Sequence, residues 1–139
     1  MAMSSLAIVA SRGTSNNIFQ VATLVRAATA LELAVQVLFT GDALLKLRRE
    51  RVNLPEWSAV YAPVRARLEA RLRAADFVDL ETFLRDAKEH GDHVTFWAES
   101  ESLRSSHATL DALVPLLDGQ LERAQFRALA AKSDALLTF

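Results

Sequence analysis

Apolar positions change their spacing several times along the chain, and each change marks an element. Leu6, Ala7, Ile8, Val9 and Ala10 form a short apolar run with β-branched members, followed by the turn and capping types Ser11 to Asn17. This predicts a buried strand, a loop and a helix start. From residue 18 to 31 the period lengthens, with Ile18, Val21, Ala22, Val25 and Ala28 on one helical face and Asn16 or Asn17 placed to cap it. Residues 33–39 return to strand character, apolar except for Gln36, and are ended by Thr40 and Gly41. Two parallel strands joined by a helix need a right-handed crossover, so residues 6–39 predict one βαβ unit.

The middle of the chain reads as almost entirely helical. Residues 42–50 are amphipathic through Leu44, Leu45 and Leu47, and Pro55 suits the first turn of the next helix. Trp57, Val60, Tyr61, Val64, Leu68 and Leu72 make one apolar stripe, interrupted at Pro63. Asp79 is placed to cap a helix carrying Leu80, Phe83, Leu84 and Ala87 that closes near His90 and Gly91. Residues 94–98 have strand character, 102–117 read as a helix broken by Pro115, and Asp118-Gly119 reads as a turn. A short strand at Leu121, a helix over 123–132 and a terminal strand over 135–139 complete the chain. The prediction is one α/β domain over residues 1–139, with a mainly parallel sheet of about five strands covered on both faces and a helical excursion between strands 2 and 3.

Composition narrows the function classes. With 139 residues, 51% hydrophobic, the chain can build one substantial core. A net charge of -1 gives no general attraction to nucleic acid or to a membrane, and no apolar stretch is long enough to span a bilayer. Charge is uneven locally: eight basic residues against three acidic ones lie between Lys46 and Arg73, and ten acidic against three basic between Asp76 and Asp118. Such polarity is the ordinary mark of solvated helix faces, and pairing between protomers or steering of a partner is the functional alternative. A mean hydropathy of +0.13 is rather apolar for a small charged protein, which association of protomers would explain. The first residues lack a basic segment and a long apolar run, so no secretory leader is expected and the expected location is the cytoplasm.

The chain contains no cysteine, which removes disulfides, thiolate metal sites and thiol catalysis together. No metal or cofactor is expected. His90 and His93 match no metal-ligand spacing, and Ser105, Ser106, His107 and Asp111 lack the strand-to-helix nucleophile elbow of a hydrolase. In open parallel sheets ligands bind beyond the carboxyl ends of the strands, which singles out two loops. The first offers Ser11, Gly13, Thr14, Ser15 and Asn16 at a helix start, where helix capping is the ordinary role and anion binding the functional alternative; it contains neither a dinucleotide fingerprint nor a P-loop. The second, from Glu99 to Ser106, offers Glu99 and Ser100, with Glu101 as a possible acid/base partner only if the backbone there is irregular. The two loops would face one cleft if their strands are neighbours.

The segments Val9-Ala-Ser-Arg-Gly-Thr14, Val37-Leu-Phe-Thr40, Val52-Asn-Leu-Pro55, Phe96-Trp-Ala98, Leu117-Asp-Gly119 and Asp134-Ala-Leu-Leu-Thr-Phe139, taken in order over nearly the whole chain, resemble the DsrE/DsrF-like sulfur-relay family. That resemblance implies a three-layer α/β/α domain of flavodoxin-like type and homo- or hetero-oligomers of trimeric or hexameric type. It also implies a persulfide-carrying cysteine just after the Phe96-Trp-Ala98 strand. Glu99 stands there instead, and a carboxylate cannot hold sulfane sulfur. The expectation is a cysteine-free member that works as a non-catalytic binding or assembly subunit, possibly beside sulfur-relay proteins. The alternatives are a small-molecule or nucleotide-like anion-binding module on the Ser11 loop, and an enzyme using Glu99 beside it.

Overall fold

The computed structural model describes residues 3–76 and 79–139. In chain order the elements are β1 (Ser5–Ala10), α1 (Ser15–Ala30), β2 (Ala34–Phe39), α2 (Gly41–Lys46), a 3-10 turn (Ala59–Val64), α3 (Arg65–Ala74), α4 (Leu80–Glu89), β3 (Val94–Glu99), α5 (Ser100–Ser105), a second 3-10 turn (Leu110–Ala112), β4 (Gly119–Leu121), α6 (Arg123–Ala130) and β5 (Ala135–Thr138). All strand pairs are parallel, in the order β4-β3-β2-β1-β5. With helices on both sides this is the expected three-layer α/β/α architecture.

Handedness explains how the helices are shared out. The chain steps in one direction across the sheet from β1 to β4, so right-handed crossovers place α1, the excursion with α4, and the α5 connection on one face. Its return from β4 to β5 runs the other way and places α6 on the opposite face. Alternation along the strands agrees: Leu6, Ile8, Val35, Val37, Phe39 and Phe96 join Ile18, Val21, Val25 and Leu84 in the main core, whereas Ala7 and Leu38 meet Phe126 behind it. Register brings Ile8 opposite Val37, and Val37 opposite Phe96. Each fully buried Val, Leu, Ile or Phe here contributes about 1.5–3 kcal/mol relative to exposure.

Five local expectations are corrected. Thr14 caps α1 in place of Asn16 or Asn17, accepting from the Asn17 amide, so the helix begins at Ser15. The helix expected over 42–50 ends at Lys46, because Arg48 pairs with Leu113 as an antiparallel bridge and the Val114 amide donates to Leu47 O (2.9 Å). The helix expected over 102–117 begins at Ser100 and stops at Ser105; the Ser106 hydroxyl turns back to Ser102 O (2.6 Å) and His107 adopts φ 54. The stripe from Trp57 to Leu72 is not a core face: the 3-10 turn carries Pro63, α3 follows, neither contains a buried residue, and Val60 is 84% exposed. Finally, Gly119 is the first residue of β4 and lies against Trp97; the preceding Asp118 accepts from the Phe96 amide (2.8 Å).

Candidate functional site

The loop after β1 spends its polar groups on the fold. The Ser11 amide and hydroxyl both donate to Phe139 O (2.8 Å each). A Cβ at Gly13 would stand 2.3 Å from the Asp42 carbonyl oxygen, so close backbone approach, and no ligand, accounts for the glycine. The Thr14 hydroxyl is hydrogen-bonded to the Asn17 side chain. Ser15 is buried; its hydroxyl donates to Leu54 O (3.2 Å) and accepts from the Glu56 amide (2.9 Å), while Asn16 accepts from the Ser58 amide (3.0 Å). Thr14, Ser15 and Asn16 are therefore fasteners for the helix start and for residues 54–58. The open cleft beside them, about 590 Å³, is lined by both Arg12 and Asp42, so its charge does not single out an anion.

Beneath that segment lies an ionic latch absent from the sequence-based expectations. Lys46 is fully buried (0% exposed), and its ammonium donates to Arg51 O (3.1 Å), Leu54 O (2.6 Å) and Glu56 Oε1 (2.8 Å). Arg51 holds both Glu56 oxygens, at 2.9 and 3.2 Å. The hydrogen bonds from Arg51 and then Lys46 bring the Glu56 carboxyl down from 4.5 to about 2, while burial lowers the Lys46 pKa. Read as part of a basic run, Lys46 concealed its role; its position between Leu44, Leu45 and Leu47 on an apolar face was the available signal.

Glu99 closes β3 and is 4% exposed at its side chain. Its Oε1 accepts from the Ser102 hydroxyl (2.7 Å) and its Oε2 from Arg123 Nε (2.8 Å). Ser102 in turn accepts from the Gly41 amide (2.9 Å), and the Ala43 amide donates to Ser11 O (3.3 Å). The two candidate loops do not share a cleft directly, because β2 lies between β1 and β3. The turn into α2 joins them instead. The expected loop after Glu99 is the helix α5, on which Glu101 is exposed and diverges from Glu99, so no carboxylate pair forms; Ser100 is buried. Buried to 4% exposure and with each oxygen already accepting one hydrogen bond, Glu99 is poorly placed for general-base work.

Among the described residues, no group of three or more His, Cys, Asp and Glu is placed to hold a metal ion. No hydrogen bond joins His107 to Ser105 or Asp111 there; Ser105 donates weakly to Ser102 O (3.4 Å). No helix among these residues is long and apolar enough to cross a membrane.

No family model matches the sequence, and no curated protein matches it. Among solved structures the chain is similar to the protein of unknown function MTH1491 from Methanobacterium thermoautotrophicum, with 14% identity, 96% of this chain and 98% of that one covered, and a TM-score of 0.57. At that identity the likeness concerns the fold alone.

Proposed function

We propose that the chain is a cysteine-free DsrE/DsrF-like domain acting as a non-catalytic assembly subunit, which associates with copies of itself through the helical excursion. One observation carries the reading: residues 59–74 build a 3-10 turn and a helix in which no residue is fully buried, and Val60 is 84% exposed. The fold covers this stripe only in part, with Tyr61, Val64, Leu68 and Leu72 half-buried and Val60 exposed, and a second copy would complete its burial. The arm's Arg65, Arg67, Arg71 and Arg73 supply a basic rim of the kind that steers and orients association. Engagement of Glu99 by Ser102 and Arg123 favours a structural role over chemistry at the position where the resemblance would put a thiol.

Sedimentation velocity tests the proposal. The native chain sediments as a trimer or hexamer at micromolar concentration, and Val60→Glu shifts it toward monomer with an unchanged circular dichroism spectrum. A native chain that stays monomeric at those concentrations refutes assembly. Mass spectrometry after polysulfide treatment finds no stable adduct one sulfur atom heavier; finding one restores sulfur carriage.

A further inference from the structure

The face of the sheet behind the main core contains a cavity of about 340 Å³ beside α6, within the size range of small-molecule sites. Its apolar wall consists of Val9, Leu38, Phe126, Ala130 and Leu136. At its polar end stand Thr40, Arg123 and Arg127, and no lining residue is acidic. Two features of that end lack a partner within the protein. Thr40 is 4% exposed as a residue; its hydroxyl makes no hydrogen bond among the described residues and its oxygen is not sealed from solvent, so it is free to donate to a bound group. The Arg127 guanidinium makes neither a hydrogen bond nor an ion pair there, while Arg123 commits Nε to Glu99 and leaves its terminal nitrogens unengaged.

We propose that this cavity binds a small organic carboxylate with an apolar body. The planar guanidinium fork of Arg127 matches a carboxylate in two parallel hydrogen bonds, and Thr40 supplies a third donor. Phe126, Leu38 and Leu136 cover the apolar body. A doubly charged phosphate fits less well. The first turn of α6 is already capped by Glu122, whose side chain and that of Gln125 satisfy each other's backbone donors and place a carboxylate at the helix start. The inference stands on α6 and the back of the sheet, so it holds or fails separately from assembly through residues 59–74.

The test is calorimetric titration of the full chain with octanoate, and in parallel with octan-1-ol and inorganic phosphate. Octanoate is expected to bind saturably with one site per chain, and phosphate more weakly. Arg127→Gln, at an exposed position, weakens octanoate about tenfold and leaves octan-1-ol unchanged, in proportion to one charge-assisted hydrogen-bonded pair. Thr40→Val weakens octanoate severalfold without lowering the melting temperature of the free protein, an outcome that a purely structural hydroxyl would not give. Ala130→Phe fills the cavity and abolishes binding of both octyl compounds. No saturable binding of octanoate at millimolar concentration overturns the proposal. So does octanoate binding that is equally strong in Arg127→Gln and Ala130→Phe, which would locate it elsewhere.

Discussion

The two faces of one sheet are built from similar strand residues and end up differently covered. On the first, α1 and α4 bring Ile18, Val21, Val25 and Leu84 to 0% exposure, and Phe39 meets Phe96 edge to face at 5.3 Å. On the second, the eight residues of α6 bury one side chain, Phe126, and Leu136 beside them stays 50% exposed. Composition does not cause the contrast, since Leu38, Trp97, Leu121 and Leu129 are as apolar as their counterparts. Connectivity does. Three successive crossovers in one direction stack their helices together, and the single return crossover has one short helix for the whole opposite face. A stability-giving face and a thinly covered face able to hold a ligand follow from the strand order alone.

The sharpest contrast comes from the first face, where the excursion is anchored by a buried charge. Lys46→Met removes an ammonium at 0% exposure that satisfies three acceptors, and leaves Glu56 and two carbonyls short of a donor. The expected loss is about 3–5 kcal/mol in urea denaturation. A loss below about 1 kcal/mol would mean that residues 51–56 hold without the latch. The same cluster sets an acid response. Because the folded Glu56 carboxyl is held at about 2, below its ordinary 4.5, the unfolded chain binds the extra proton first; the stabilisation is full above the ordinary value and fades as pH falls from 4.5 toward 2. Glu56→Gln flattens that part of the stability profile. An unchanged acid limb would assign it to other carboxylates.

The latch also marks where the sequence stops being legible. Strand and helix order, the parallel sheet and the caps at Asp79 and near His90 were readable because local period and turn chemistry decide them. Residues 42–50 misled because their helical spacing is cut short by the bridge of Arg48 to Leu113, which no local pattern encodes. The helix read over 102–117 stops earlier, at Ser105, where the Ser106 hydroxyl turns back to Ser102 O and His107 adopts φ 54. The site residues divide in the same way. Glu99 at a strand end was legible. Its partner Arg123, 24 positions later, was not, and neither was the part of Ser15 and Asn16 in holding residues 54–58, since both depend on tertiary contact.

A matched pair of leucine truncations measures the contrast between faces directly. Leu84→Ala, fully buried against α1 and the sheet, is expected to cost about 3 kcal/mol. Leu129→Ala, only partly buried behind the sheet, is expected to cost about 1 kcal/mol, since most of the transfer term was never gained. Equal losses would show that the second face is packed as tightly as the first, and would leave little room for a cavity beside α6.

A comparably small effect lies where the two faces meet, at the end of β3. Arg123→Ala leaves a carboxylate at 4% exposure with the Ser102 hydroxyl as its remaining side-chain donor, but the lost arginine is itself 57% exposed, so screening limits the cost to about 1–2 kcal/mol. Glu99→Gln should cost less. Its amide oxygen still accepts from Arg123, and its NH₂ group can donate to Ser102, whose hydroxyl already accepts from Gly41. Combining the two changes should then cost less than their sum, because an uncharged amide tolerates loss of the arginine better than a carboxylate does. Strict additivity in denaturation would show that Glu99 and Arg123 do not act as a pair, and would return the Glu99 carboxylate to the pool of groups free to do chemistry.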